Sequence, residues 1–146
     1  MSVERPLKLG RRARRSLSEA IGRAEEGHRG EIRVHLEARY PGEGPTARAR
    51  ELYQAFGMQR TAGDTAALLY VAWADRKVAV WHGRGLDGAE APGFWKEVTE
   101  LAASGLRRGD AIAGLTSAIE AMGRLMARAA AGRDAADELP NAVTTS

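Results

Sequence analysis

Residues Ala66 to Trp73 read Ala-Ala-Leu-Leu-Tyr-Val-Ala-Trp, an apolar run with no charge to mark an outer face. A run this short, bounded by polar residues on both sides, has the length of a strand and the composition of one covered above and below. That limits the fold, because a strand dry on both faces needs helices on both sides of its sheet.

The flanking segments supply them. Leu17, Ala20, Ile21 and Ala24 fall at helical spacing behind Ser16-Leu17-Ser18-Glu19, which has the form of a capping box with Ser16 as N-cap. The period then changes to two. Ile32, Val34 and Leu36 alternate with Arg33, His35 and Glu37, which predicts a strand with one buried face and one solvated face. On that pattern His35 is a solvated residue, not a catalytic one. Pro45 suits the first turn of a second helix, whose stripe is Ala49, Leu52, Tyr53 and Phe56 and whose end is Gly57. After the apolar run, Asp75-Arg76 reads as a two-residue hairpin turn into Lys77–His82. This pairs Trp73 with Val78, Val71 with Val80 and Tyr70 with Trp81, and puts Tyr70 and Trp81 on one face.

Two more helices follow. One starts near Pro92 with Trp95, Val98, Ala102 and Leu106 on its stripe; the other follows Asp110 as N-cap and carries Ile112, Leu115, Ile119, Met122 and Met126. Trp73, Trp81 and Trp95 are expected in core and hairpin packing. The predicted fold is α/β: a small mixed sheet, a parallel β-α-β unit plus an antiparallel hairpin strand, flanked by helices on both faces. The domain covers 16–130, behind a basic lead-in of residues 1–15. A tail of residues 131–146 follows, in which Arg133 to Ser146 offers only Leu139 and Val143 as sizeable apolar groups and is expected to contribute little to folding.

Among 146 residues there is no cysteine, which excludes disulfides, thiol nucleophiles and Cys-based metal centres. His28, His35 and His82 are too scattered for a HExxH site, and neither GxSxG nor SxxK occurs. No window is apolar enough for a transmembrane span, so the expectation is a soluble, cytoplasmic protein. The net charge is +3, and residues 1–30 hold eight basic side chains against four glutamates. Arg11-Arg12-Ala13-Arg14-Arg15 could rest on an anionic membrane surface as a peripheral contact. Nucleic acid is the poorer partner, since no aromatic within the run can stack on bases.

Gly83-Arg84-Gly85-Leu86-Asp87-Gly88 spells GxGxxG. It follows the hairpin's second strand and no helix opens directly behind it, so it fails the structural context of a dinucleotide site. The plainer reading is a turn needing positive φ, whose amides can also face an anion. Strand polarity adds more. The starts of both parallel strands and the end of the hairpin strand should meet at one end of the sheet, with Glu37 and Asp75 at the other. That gathers His82, Gly83, Arg84 and Gly85 as an anion- or ligand-binding set, with Glu31, Asp64 and Asp87 as oxygen ligands for weakly bound Ca²⁺ or Mg²⁺.

The succession Gly30-Glu31-Ile32-Arg33-Val34, Phe56-Gly57-Met58-Gln59-Arg60-Thr61, Leu68-Leu69-Tyr70-Val71-Ala72, Ala74-Asp75-Arg76-Lys77, Gly83-Arg84-Gly85-Leu86, Phe94-Trp95 and Gly109-Asp110 resembles the TPM domain family. The closing helix, Ala113-Gly114-Leu115 through Ile119-Glu120-Ala121-Met122, is similar to that of its short bacterial members. The resemblance runs from about Leu17 to Ala130. It implies an α/β sandwich and a choice of functions, since plant thylakoid-lumen members are associated with acid phosphatase activity and calcium binding. Two departures stand out: Asp64-Thr65-Ala66 where short members often have an Arg-Asn-Gly-like stretch, and Gly83 where they often have an acid. The expectation is a non-catalytic module binding a protein partner or small ligand. The alternative is a divalent-metal-dependent phosphatase using Glu31, Asp64 and Asp87, with Arg84 clamping phosphate.

Overall fold

The computed structural model describes residues 9–88, 90–129 and 142–146. Its elements run α1 (Arg11–Glu25), β1 (Glu31–Glu37), α2 (Pro45–Ala55), β2 (Ala66–Ala72), β3 (Lys77–His82), α3 (Phe94–Arg108), α4 (Ala111–Ala129) and β4 (Ala142–Thr145). The sheet order is β3-β2-β1-β4, with β1 parallel to both β2 and β4, and β3 antiparallel to β2. β2 is buried along its whole length, as an apolar run without a polar face requires.

Its two faces feed two cores. Ala67, Leu69 and Val71 join Ile32, Val34 and Leu36 against Leu17 and Ile21 of α1, Val98 of α3, and Leu115, Ile119 and Met122 of α4. Leu68, Tyr70 and Ala72 face Ala49, Leu52 and Tyr53 of α2 instead. Three helices cover one face and α2 the other. Glycine lets the three-helix layer close tightly: a methyl on Gly105 of α3 would lie 2.6 Å from the Gly114 Cα of α4, and one on Gly123 would lie 2.7 Å from the Ala24 Cβ of α1.

Several local expectations hold. Asp110 caps α4, its Oδ1 accepting the Ala113 N–H at 3.3 Å. Pro45 opens α2, and Gly57 follows its end at φ +70°.

Others are corrected. The hairpin register pairs Val71 with Val78 and Tyr70 with Ala79, two residues away from the two-residue-turn pairing, because Trp73–Arg76 forms a four-residue connection. A shift of two preserves the faces, so Tyr70 and Trp81 still pack in the same α2-side cluster. α1 begins at Arg11 behind Gly10, so Ser16 lies inside the helix and residues 11–15 are not a lead-in. Arginine is a good helix former, and Arg14 Nη2 reaches the Val143 carbonyl at 3.2 Å, tying this turn to β4.

The sheet has a fourth strand within the tail that was expected to contribute little to folding. β4 lies along β1 from Arg33–Ala142 to Leu36–Thr145, and Val143 is buried against the three-helix core. The rest of the expected tail, residues 130–141, lies outside the described residues. Deleting residues 142–146 is accordingly expected to lower the melting midpoint by about 5 °C, the loss of one small buried side chain and one strand pairing. Thermal denaturation followed by far-ultraviolet circular dichroism checks this; an unchanged midpoint would restore the expendable-tail reading.

Candidate functional site

Parallel pairing of β1 with β2 sets Glu31 opposite Ala66, and the antiparallel hairpin sets His82 opposite Ala67. The loops before β2 and after β3 therefore meet at one end of the sheet. Arg84–Leu86 is a single 3₁₀ turn, Ala62–Asp64 is a tight turn with Gly63 at φ +71°, and Asp64 joins them. Asp64 sits at φ +52°, a conformation non-glycine residues seldom adopt. Its Oδ1 accepts the Tyr53 hydroxyl at 2.8 Å and its Oδ2 accepts the Arg84 N–H at 3.1 Å. Burial first, then the adjacent Asp64 carboxylate, push the Tyr53 hydroxyl far above its usual range and keep it a donor. Thr65 Oγ1 donates to the Arg29 carbonyl at 3.5 Å, linking this loop to the approach to β1.

The glycines of GxGxxG act differently from one another. Gly83 has φ −80°, so positive φ is not its reason. A methyl there would run into the Asp64 carbonyl and carboxylate, and one on Gly85 would meet the Gly63 carbonyl oxygen and come within 2.6 Å of Thr65 Cγ2. Both are glycine because one loop presses on the other. Only Gly88, at φ +78°, matches the turn explanation. With Asp64 holding its amide, Arg84 is exposed at the rim. His82 stacks on Trp95 with ring centroids 4.3 Å apart, donates from Nδ1 to the Gly83 carbonyl at 3.0 Å, and lies 3.8 Å from Asp87 Oδ1.

The expected set is thus brought to one end in two parts. Asp64, Gly83, Arg84 and Gly85 form one contact group, and His82 with Asp87 forms a neighbouring pair. Glu31 is buried at the first position of β1, its side chain engaged, while the Asp87 side chain is 66% exposed. Among the described residues, no three His, Asp or Glu side chains gather as a metal-ligating group. Glu37 and Asp75 lie at the opposite end as expected; there Asp75 binds the Tyr40 N–H at 2.9 Å and Arg39 at 3.0 Å.

A second polar cluster was missed. The odd-numbered face of β1 is not solvated, since His35 is 2% exposed and Glu37 is 7%. Arg48 of α2 donates to Glu37 from Nε at 2.8 Å and from Nη2 at 3.2 Å, and the Tyr70 hydroxyl donates to the same carboxylate. Burial works against the Glu37 charge, but the Arg48 and Tyr70 hydrogen bonds outweigh it and hold the carboxyl below its usual range. Burial pushes Tyr70 up, and the Glu37 contact adds to it. His35 lies between Thr144 Oγ1 (2.6 Å from Nδ1) and Ser146 Oγ (2.7 Å from Nε2), and burial lowers its pKa. With the Thr144 hydroxyl donating to the Val34 carbonyl at 3.4 Å, the consistent assignment is a neutral ring that donates from Nδ1 and accepts at Nε2. These groups are paired with one another and bind β4 and α2 to the sheet.

The family model for the TPM domain matches residues 9–125. The chain belongs to the TPM domain family. Among curated proteins none matches. The solved structure of the BA42 protein from the psychrophilic bacterium Bizionia argentinensis is similar over 100% of both chains, with 27% identity and a TM-score of 0.85. The N-terminal domain of a Corynebacterium glutamicum protein gives a TM-score of 0.65 at 14% identity, covering 90% of this chain and 82% of that one. An N-terminal domain from P. gingivalis gives 0.69 at 17%, covering 82% and 76%. The last two likenesses carry the fold alone. No helix of the TPM domain, among the described residues, is long and apolar enough to cross a membrane.

Proposed function

We propose that this TPM domain is a binding module whose ligand site is the loop end of the sheet. The observation that supports it most is the use made of Asp64. Both of its oxygens are committed to holding Tyr53 and the Arg84 amide, which makes it a clamp between loops and not an open ligand for chemistry. The clamp fixes the backbone beneath an exposed guanidinium, beside the His82–Trp95 stack. Such a rim suits an anionic group on a protein or small-molecule partner.

The phosphatase alternative draws less support. Ca²⁺ takes six to eight oxygens, and of the three candidate acids only Asp87 is largely exposed, Glu31 being buried and Asp64 committed. The fit to a closed cation site is poor, and an ion held there would keep most of its water. Titration of Ca²⁺ or Mg²⁺ is expected to move the amides near residues 31, 64 and 83–88 first, and only at millimolar metal. Hydrolysis of p-nitrophenyl phosphate is expected to stay at background with or without either ion. Metal-dependent turnover that disappears in Asp87→Asn would overturn the binding-module reading. Asp87 is the informative position because its exposed side chain can change without disturbing the loops.

A further inference from the structure

β3 is an edge strand, hydrogen-bonded among the described residues to β2 alone. The Gly83 N–H bonds to the Ala66 carbonyl at 3.0 Å, so residues 83 and 66 form a hydrogen-bonded pair. Alternation along an antiparallel ladder then sets Lys77, Ala79 and Trp81 inward to β2, while Val78, Val80 and His82 turn their N–H and C=O groups away from it. Edges of this kind are ordinarily blunted by proline, a bulge or a mid-strand charge. β3 has none of these: its register is unbroken over six residues, and Lys77, at its first position, is its only lysine or arginine.

Both sides of the edge are apolar and half-buried. Val78, Val80 and the His82–Trp95 stack lie on the three-helix side; Trp81 lies on the α2 side, with the Arg50 guanidinium 5.5 Å from its ring centroid. Around this strip, Arg50, Arg76, Lys77 and Arg84 are exposed and, among the described residues, carry no ion pair. Asp75 is paired with Arg39, and Asp87 beside His82 is a nearby counter-charge.

We propose that the β3 edge is the docking site for an extended acidic peptide segment of a protein partner, which adds as a fifth strand. The inference rests on the binding-module reading and names its partner, since β3 leads directly into Arg84. Strand addition takes affinity from main-chain hydrogen bonds and specificity from alternate side chains. In a segment that alternates, the apolar side chains would lie on the three-helix side against Val78 and Val80, and the acidic ones on the α2 side, toward Arg50 and Lys77. The same charges argue against a second copy of the chain, because edge-to-edge pairing about a twofold axis would bring the four cations of each copy together.

The test uses the full ¹⁵N-labelled chain and a capped peptide of alternating Glu and Val, six residues to match β3. The expected result is saturable shifts at Val78, Val80 and His82 that weaken with salt. A peptide with Lys in place of Glu should bind about tenfold less well. Val80→Pro removes an outward N–H that β2 does not use and is expected to abolish the β3 shifts. Arg50→Glu, a surface change, should weaken binding about threefold. Shifts confined to residues 83–88, with β3 silent, would overturn strand addition while leaving the binding module standing. Equal binding of both peptides, no shift at millimolar peptide, or concentration-dependent β3 shifts without peptide would each overturn the proposal. Phosphatase turnover, by contrast, would strike the underlying reading.

Discussion

Arg48→Ala is expected to lower the melting midpoint by about 10 °C. The side chain neutralises Glu37, whose carboxylate is held on the covered face of β1 by two bonds from Arg48 and one from Tyr70. Removing one partner of a buried pair leaves the other charge desolvated, which costs roughly 3 kcal/mol. At the entropy of unfolding of a chain this size, that converts to about 10 °C. The pH dependence gives the expectation a second handle. Glu37 is held below its usual range although burial alone would raise it. A carboxyl depressed in the folded state contributes stability above its unfolded pKa of ~4.3 and loses it as pH falls through the lower folded value. Without Arg48 the burial remains and the largest compensation is lost, the Tyr70 bond alone still donating to the carboxylate, so the folded pKa rises and acid destabilisation begins at higher pH. Melting curves between pH 3 and 8 for the wild type, Arg48→Ala and Arg48→Lys check both parts. An Arg48→Ala midpoint within a degree of wild type would show that the pair contributes nothing.

How much of this was legible in the sequence depended on whether a residue's environment is local. The helix stripes, the Asp110 cap, the Pro45 start and the parallel unit follow from spacings within one segment, and all appear in the structure. The odd-numbered face of β1 does not. Alternation read Arg33, His35 and Glu37 as solvated because it considered one strand alone. Yet Leu68 and Tyr70 are apolar on that same side of β2, so a helix had to cover them, and that cover extends to the neighbouring strand. The unbroken run was itself the available signal. β4 left fainter traces, since Val143 is the single sizeable apolar residue in Ala142–Thr145 and its partner strand is more than a hundred residues away. At the loop end, strand polarity brought the correct loops together. The use of Asp64 as a clamp was out of reach, because Tyr53 meets it from α2, a separate element whose packing against this loop no spacing within one segment gives.

Gly85→Ala should be the most damaging single-methyl change in the loops, costing more than about 4 kcal/mol. The added Cβ would collide with the Gly63 carbonyl oxygen, crowd Thr65 Cγ2 at 2.6 Å and lie 3.0 Å from the Asp64 carbonyl. Two of those three atoms are backbone, and a backbone carbonyl cannot rotate aside as a side chain can. The loops would have to part, and parting them breaks the Asp64 bonds to Tyr53 and to the Arg84 amide. Gly88→Ala is the control. Nothing lies within 4 Å of its added methyl, so the penalty is the φ +78° conformation alone, about 1–2 kcal/mol. Denaturant unfolding of the two variants is therefore expected to differ sharply although each adds one methyl to the same hexapeptide. A small loss in Gly85→Ala would mean that the loops separate easily. Arg84 would then sit on a mobile rim, and the rigid ligand platform inferred at this end of the sheet would have no basis.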